Sequence, residues 1–216
     1  MTRAPCDHPA ALRPLLALIA IALLGAGCLG FPKESAPVRY WLLSALEGTP
    51  SDEEVFASVG VGPFEFPDYL DRLEIVQRTG PNQLSVSEFD RWGEPLEQTF
   101  QDVLAANLQI LVPGVAAVRF PWKGARQVEY RLAMVVSRFE VDVPSGAAAL
   151  DASWGFVRNA GGEDLGGGRA NIREPVQGEG YAAKTAALSR ALATLSRDVA
   201  KRLAALPGAS GSTTSP

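Results

Sequence analysis

The sequence predicts an α+β fold in a single domain, a mostly antiparallel sheet with two long helices packed on one face. Three observations predict it. Two stretches, 94–112 and 181–206, carry apolar residues at helical spacing. The other apolar segments are short, rich in Val, Tyr, Phe and Trp, and largely alternate with period two. The order along the chain is strands, helix, strands, helix, an arrangement that gathers helices on one side of a sheet.

The elements follow in order. Arg3 and Arg13 precede an uncharged apolar run from Pro14 to Gly27, too short for a membrane span of ~20 residues and of the length of a signal-peptide core. The run closes on Leu24-Gly25-Ala26-Gly27-Cys28, small residues before a cysteine, the pattern of a bacterial lipoprotein processing site with Gly25 where Leu is usual. Residues 1–27 are therefore expected to be a cleaved signal peptide and Cys28 the acylated first residue of the mature chain. No cofactor is expected beyond the diacylglycerol and acyl chain on Cys28. Each buried methylene contributes ~0.8 kcal/mol, so three chains anchor durably where one binds marginally. Residues 28–37, with two prolines and no apolar period, read as a tether.

The domain is expected over 38–206. Val38–Leu43 reads as a first strand, and Val55–Val61 as a second, central one ended by Gly62-Pro63. Glu74–Thr79 and Gln83–Phe89 flank Gly80-Pro81-Asn82, a hairpin with a three-residue turn. Glu94–Val112 is the first helix, with Pro95 at its first position and Leu96, Phe100, Val103, Leu104, Leu108 and Leu111 in one stripe. Val115–Phe120 is a short strand, and Trp122 in the following turn is expected to be exposed. Gln127–Val143 is a long strand whose apolar parity flips, which a bulge near Ser137 would accommodate. Leu150–Phe156 and Gly166–Ile172 form a further pair around Asn159-Ala160-Gly161-Gly162, with Trp154 on the core side. Tyr181–Leu206 is the second helix, and 207–216 a disordered tail.

Composition excludes several functions. The mature chain would hold 18 basic and 23 acidic residues, a net charge of −5, the wrong sign for a nucleic-acid surface. His8 is the single histidine and Cys6 and Cys28 the only cysteines, so the mature domain has neither His nor a free thiol. That removes His- and Cys-based nucleophilic catalysis and zinc sites with N or S ligands, and no enzyme or metal site is expected. Gly166-Gly167-Gly168 lacks the Lys-Ser/Thr of a phosphate loop and reads as a tight hairpin or bulge, so no nucleotide site is expected. Asp71, Arg72, Asp90, Arg91 and Glu94 gather around the hairpin, as a solvated ion-pair rim or a partner-facing edge.

Three segments carry a resemblance. Val59-Gly60-Val61-Gly62-Pro63, then Pro67-Asp68-Tyr69-Leu70-Asp71-Arg72, then Ser87-Glu88-Phe89-Asp90-Arg91-Trp92-Gly93-Glu94-Pro95-Leu96 closely resemble the PqiC/YmbA-type lipoproteins, auxiliary components of ABC-type MCE transport systems. The strand Arg39–Leu43 looks like their first one. The resemblance implies a non-enzymatic accessory whose partner is an MCE-domain protein anchored in the inner membrane, with self-association into a ring as an extension. Pro67, Tyr69, Leu70, Asp71, Arg72, Phe89, Asp90, Arg91, Trp92 and Glu94 would then position a partner. In Gram-negative lipoproteins an Asp after the acylated cysteine favours inner-membrane retention, so Leu29 implies attachment to the outer membrane, facing the periplasm. The alternatives are an assembly lipoprotein serving an outer-membrane β-barrel and a small periplasmic lipid carrier.

Overall fold

The computed structural model describes residues 36–50, 57–122 and 128–207. The signal segment, Cys28, nearly all of the tether and residues 208–216 lie outside them. From Pro37 onward the described residues form one compact unit. It contains strands β1 (Arg39–Trp41), β2 (Ala57–Glu65), β3 (Glu74–Gly80), β4 (Gln83–Trp92), β5 (Val115–Arg119), β6 (Tyr130–Asp142), β7 (Ala147–Arg158) and β8 (Asp164–Pro175). The helices are α1 (Leu96–Leu111) and α2 (Gly180–Ala204).

The sheet is organised on β6. One edge of β6 pairs with β7 along its whole length, antiparallel, from Tyr130↔Arg158 to Asp142↔Ala147. The other edge is shared. β2 runs parallel to the first half of β6, from Val59↔Tyr130 to Glu65↔Val135, and β3 runs parallel to its end, at Gln77↔Val141. The sheet therefore forks, and the residues between β2 and β3, with a 3-10 turn at Asp68–Leu70, bridge the fork. β5 extends the β2 branch, β4 and β1 extend the β3 branch, and β8 closes the far side against β7. The sheet is mixed. Its long ladders, β6–β7 and β7–β8, are antiparallel, while β1–β4, β2–β5, β2–β6 and β3–β6 are parallel.

The parity flip in β6 is resolved as the sequence implies. The register shifts between Val136 and Arg138, so Leu132, Met134 and Val136 and then Phe139 and Val141 all face the helices. Other boundaries differ. Gly62-Pro63 does not end β2; the register slips there and the strand resumes, because Phe64 pairs with Met134 and packs edge-on against Phe100 at 6.1 Å. The β3–β4 turn has two residues, Pro81 and Asn82, since Gly80 already pairs with Gln83. Pro95 stands one place before α1 rather than within it.

The core lies between the sheet and the helices. Phe100 and Leu104 of α1 and Leu192, Leu195 and Val199 of α2 are fully buried, each worth on the order of 2 kcal/mol of apolar transfer. Phe100 meets Phe139 edge-on at 5.1 Å. Where α1 crosses α2, buried Asn107 donates to Ser196 Oγ (2.9 Å) and accepts from the Leu46 amide (2.7 Å), pinning the segment after β1 to both helices. Trp122 is not free in its turn. It is half-buried on the face of the sheet away from the helices, edge-on to Phe120 at 5.5 Å, over the bare backbone of Gly60. A Cβ on Gly60 would collide with that ring, which is why β2 carries glycine there. Trp154 packs partly buried on the core. The glycine run of β8 serves close strand approach, since a Cβ on Gly167 would strike the Trp154 carbonyl.

Candidate functional site

Two of the three family-like segments, Pro67–Arg72 and Ser87–Leu96, come together beside the fork. In Pro67–Arg72 the 3-10 turn sends Tyr69 and Leu70 inward and leaves Asp68, Asp71 and Arg72 exposed. Its backbone closes through Leu70 N–H to Pro67 O (2.9 Å) and Asp71 N–H to Asp68 O (3.1 Å). Leu70 drops into the core, and Tyr69, half-buried, donates its hydroxyl to Glu140 Oε2 (2.8 Å). Asp71 and Arg72 are left at the surface.

Glu140 closes the fork chemically. Its carboxylate is fully buried where β6 has no neighbouring strand between its pairings with β2 and β3. Oε1 accepts from Arg78 Nε (2.9 Å) and Arg138 Nε (3.0 Å), and Oε2 from the Tyr69 hydroxyl and the Phe139 amide (3.1 Å). The carboxylate thus replaces a missing strand for that amide and is shared by two guanidinium groups, of which Arg138 has a second carboxylate in Asp142. Burial, then the bond to Glu140, pushes the Tyr69 hydroxyl far above its ordinary pKa, so it stays a donor at any physiological pH. Arg138 continues the network to Asp142 (3.2 Å) and Asp151 (3.9 Å), and Arg173 joins it at Asp151 (2.7 Å).

In Phe89–Glu94 the register jumps. Glu74 pairs with Arg91 but Val76 with Val86, so β4 bulges between them, with the Asp90 amide donating to Ser87 Oγ at 2.9 Å. The bulge turns Asp90 inward. It is 2% exposed and accepts two bonds from Arg39 (2.8 Å each), one from Trp41 Nε1 (2.9 Å) and one from Ser87 Oγ (3.2 Å). Burial alone would raise its carboxyl pKa, yet the donors from Arg39 and Trp41 and the Arg39 charge win, and the carboxyl lies below its usual value. Asp90 is therefore no part of a solvated rim; it rivets β1 onto β4. Trp92 is buried, Phe89 and Arg91 half-buried, and Glu94 exposed. Arg91 pairs with Glu74 at 3.6 Å.

Of the ten residues read from sequence as partner-positioning, Asp71, Arg72 and Glu94 are exposed and Pro67, Tyr69, Phe89 and Arg91 half-buried. Leu70, Asp90 and Trp92 are buried and shape the surface from beneath. Sequence reasoning missed Glu140 and Arg39. Glu140 sits on the outward parity of β6, with no signal that a bridging segment covers it. Arg39 shares parity with Trp41, which is the one hint that both point to the same group.

Two concavities flank the site. One of ≈310 Å³ lies between the bridging segment and the start of α1, with Phe66, Leu70, Leu73 and Leu96 among its walls and Asp68, Asp71, Arg72 and Glu97 at its rim. Burial, then the charge of Asp71, raises the Glu97 carboxyl pKa despite the hydrogen bond from Gln101. The other, ≈520 Å³, lies between residues 41–47 and α2. Among the described residues no group of three or more His, Cys, Asp or Glu side chains is placed to hold a metal, and no helix is long and apolar enough to cross a membrane.

Comparison with known proteins gives consistent results. The search of curated proteins finds no match. A crystal structure of an uncharacterised protein aligns with TM-score 0.64 at 22% identity, covering 77% of this chain and 98% of that one. A crystal structure of a Xanthomonas campestris protein of the DUF330 family aligns with TM-score 0.60 at 20% identity, covering 74% and 92%. At these identities the likeness shows the fold. The sequence itself matches, over residues 40–200, the family described as ABC-type transport auxiliary lipoprotein component, a span that takes in both motif segments, the fork and most of α2. The chain therefore belongs to the PqiC/YmbA-type family of ABC-transport auxiliary lipoproteins.

Proposed function

We propose that this protein is a non-enzymatic outer-membrane lipoprotein, facing the periplasm, that serves an MCE/Pqi-type intermembrane lipid transport system and supports envelope integrity. The observation that carries the reading is the family match over 40–200 standing behind a lipobox at Cys28. Membership gives an auxiliary component of a transport system, and an auxiliary component must hold a partner. Acyl chains on Cys28 would fix one end of the molecule, and the surface around Asp71, Arg72 and Glu94 would meet an MCE-domain protein anchored in the inner membrane. Energy would come from that partner system, since this chain carries no nucleotide motif.

The test has two arms. Cys28→Ala should release the protein from the membrane fraction and abolish rescue of a deletion strain challenged with detergent. Wild-type protein, solubilised and affinity-purified, should bring down an MCE-domain protein. Capture of an outer-membrane barrel in its place would transfer the reading to barrel assembly, and a soluble, unacylated wild type would end it.

A further inference from the structure

The smaller concavity has an unusual electrostatic build. Its floor is apolar, from Leu70, Leu73 and Leu96, and Leu73 is 42% exposed within it. Three carboxylates rim it, Asp68, Asp71 and Glu97. Among the described residues none of the three is in an ion pair, although Arg72 stands on the same rim and makes none either; the only bond to the trio's side chains is from Gln101 to Glu97 (2.9 Å). The start of α1 supplies roughly half a positive charge. Against three carboxylates, that and Arg72 still leave an acid excess. Asp71 and Glu97 line the same groove with like charge, and burial first, then the Asp71 charge, makes the Glu97 carboxyl hold its proton more tightly than usual.

A like-charge pair over an apolar floor is costly in the isolated chain and becomes favourable when a cation with an aliphatic stem enters. Lysine and arginine have that form, a charged head on an apolar stem. A cavity of ≈310 Å³ admits one such side chain with an apolar neighbour. We infer that this groove is the socket for a basic side chain of the transporter component, its stem on Leu70, Leu73 and Leu96 and its charge between Asp71 and Glu97. The inference rests on the proposed role as a partner-holding accessory and names the chemistry of the contact. The motif Pro67–Arg72 is then explained as a unit: Tyr69 and Leu70 fix the turn, and the turn presents Asp71 to the groove.

The experiment uses the full-length lipoprotein in its own membrane, with a photo-crosslinking benzoylphenylalanine at Leu73 and, in a second strain, at Tyr40. Tyr40 is 64% exposed on the β1–β4 lobe and does not line the groove. Crosslinking from Leu73 should capture a transporter component, and mass spectrometry should place the adduct beside a Lys or Arg with an apolar neighbour. Asp71→Asn and Glu97→Gln should each lower the yield about tenfold, in line with the coupling of close charge pairs at interfaces. Their thermal midpoints should equal or exceed the wild type's, because each relieves repulsion, which separates lost docking from lost folding. An adduct segment without a basic residue, or a yield unchanged in the double variant, overturns the socket. Capture from Tyr40 without capture from Leu73 overturns the socket and leaves the accessory role standing; no transporter component from either position, nor by co-purification, overturns both.

Discussion

Glu140→Gln is the sharpest test of how the fold is held together. The substitution keeps shape and volume and removes one charge. Wild-type Glu140 is 1% exposed and receives four donors on two oxygens. Glutamine offers one oxygen and places an NH₂ against at least one donor pair, either the two arginines or the Tyr69 hydroxyl and the Phe139 amide. Both outcomes strand buried polar groups. Removing one partner of a buried ion pair costs about 3–5 kcal/mol, and leaving a buried donor unmatched about 1–3. The arginine side chains keep 21% and 26% exposure and Arg138 retains Asp142, so water and that second carboxylate recover part of the loss. The expected net cost is about 3 kcal/mol. With a urea m-value of about 2 kcal/mol per molar, the unfolding midpoint should fall by about 1.5 M. Asp198→Asn is the control, since the Lys201–Asp198 pair is 77% and 52% exposed. It should move stability by less than about 0.5 kcal/mol. A Glu140→Gln loss no larger than that control's would refute the claim that a buried carboxylate holds the sheet fork.

Three further outcomes follow from the same geometry. Asp90 has its carboxyl pKa depressed in the fold, so the stability it contributes is present above the unfolded value near 3.8 and drains as pH falls through the lower folded value; Asp90→Asn should flatten the acid limb of a midpoint-against-pH curve below about pH 4. Gly60→Ala should cost about 1–3 kcal/mol by overpacking against Trp122, and a double variant with Trp122→Ala should recover part of it in a thermodynamic cycle; strictly additive losses would refute the contact. Asn107→Ala should cost about 2 kcal/mol in urea unfolding, because it strands the Leu46 amide at the helix crossing and removes the bond that Ser196 Oγ accepts, while the Ser196 hydroxyl still donates to the Leu192 carbonyl.

Much of the fold was legible because its signals are local. The stripes of α1 and α2 and the alternation in β7 declare their elements without reference to the rest of the chain. Even the bulge in β6 was readable, since the switch from Val136 to Phe139 on the apolar parity has no other economical solution. What was not legible depends on pairing across distance. The parallel placement of β3 on the end of β6 joins residues 77 and 141, and no periodicity in either strand announces it. The buried state of Glu140 follows from that pairing and from the bridging segment laid over the gap, so a residue that reads as solvent-facing becomes the most enclosed acid among the described residues. Asp90 was misplaced for a related reason: an excess of residues in β4 against β3 rotates it inward, and the period-two rule cannot see a bulge whose signal is a serine hydroxyl three residues earlier.

The two motif segments share one construction. Each has an inward polar or aromatic residue that ties down a loose piece of backbone, and beside it a charged residue that the tie leaves at the surface. Tyr69 is tied to Glu140 and exposed Asp71 follows two places on; Asp90 is tied to Arg39 and exposed Glu94 follows four places on, past half-buried Arg91. A docking surface gains from this arrangement, because side chains on a fixed backbone lose less freedom when a partner arrives. Loosening either tie should therefore weaken capture at temperatures where the domain is still folded. Tyr69→Phe removes one hydroxyl and no exposed charge, so reduced capture of the transporter component with little change in unfolding midpoint would show that the bridging segment is held for binding. Equal capture, with the midpoint lowered by the loss of the Glu140 bond, would show that the same tie serves stability alone.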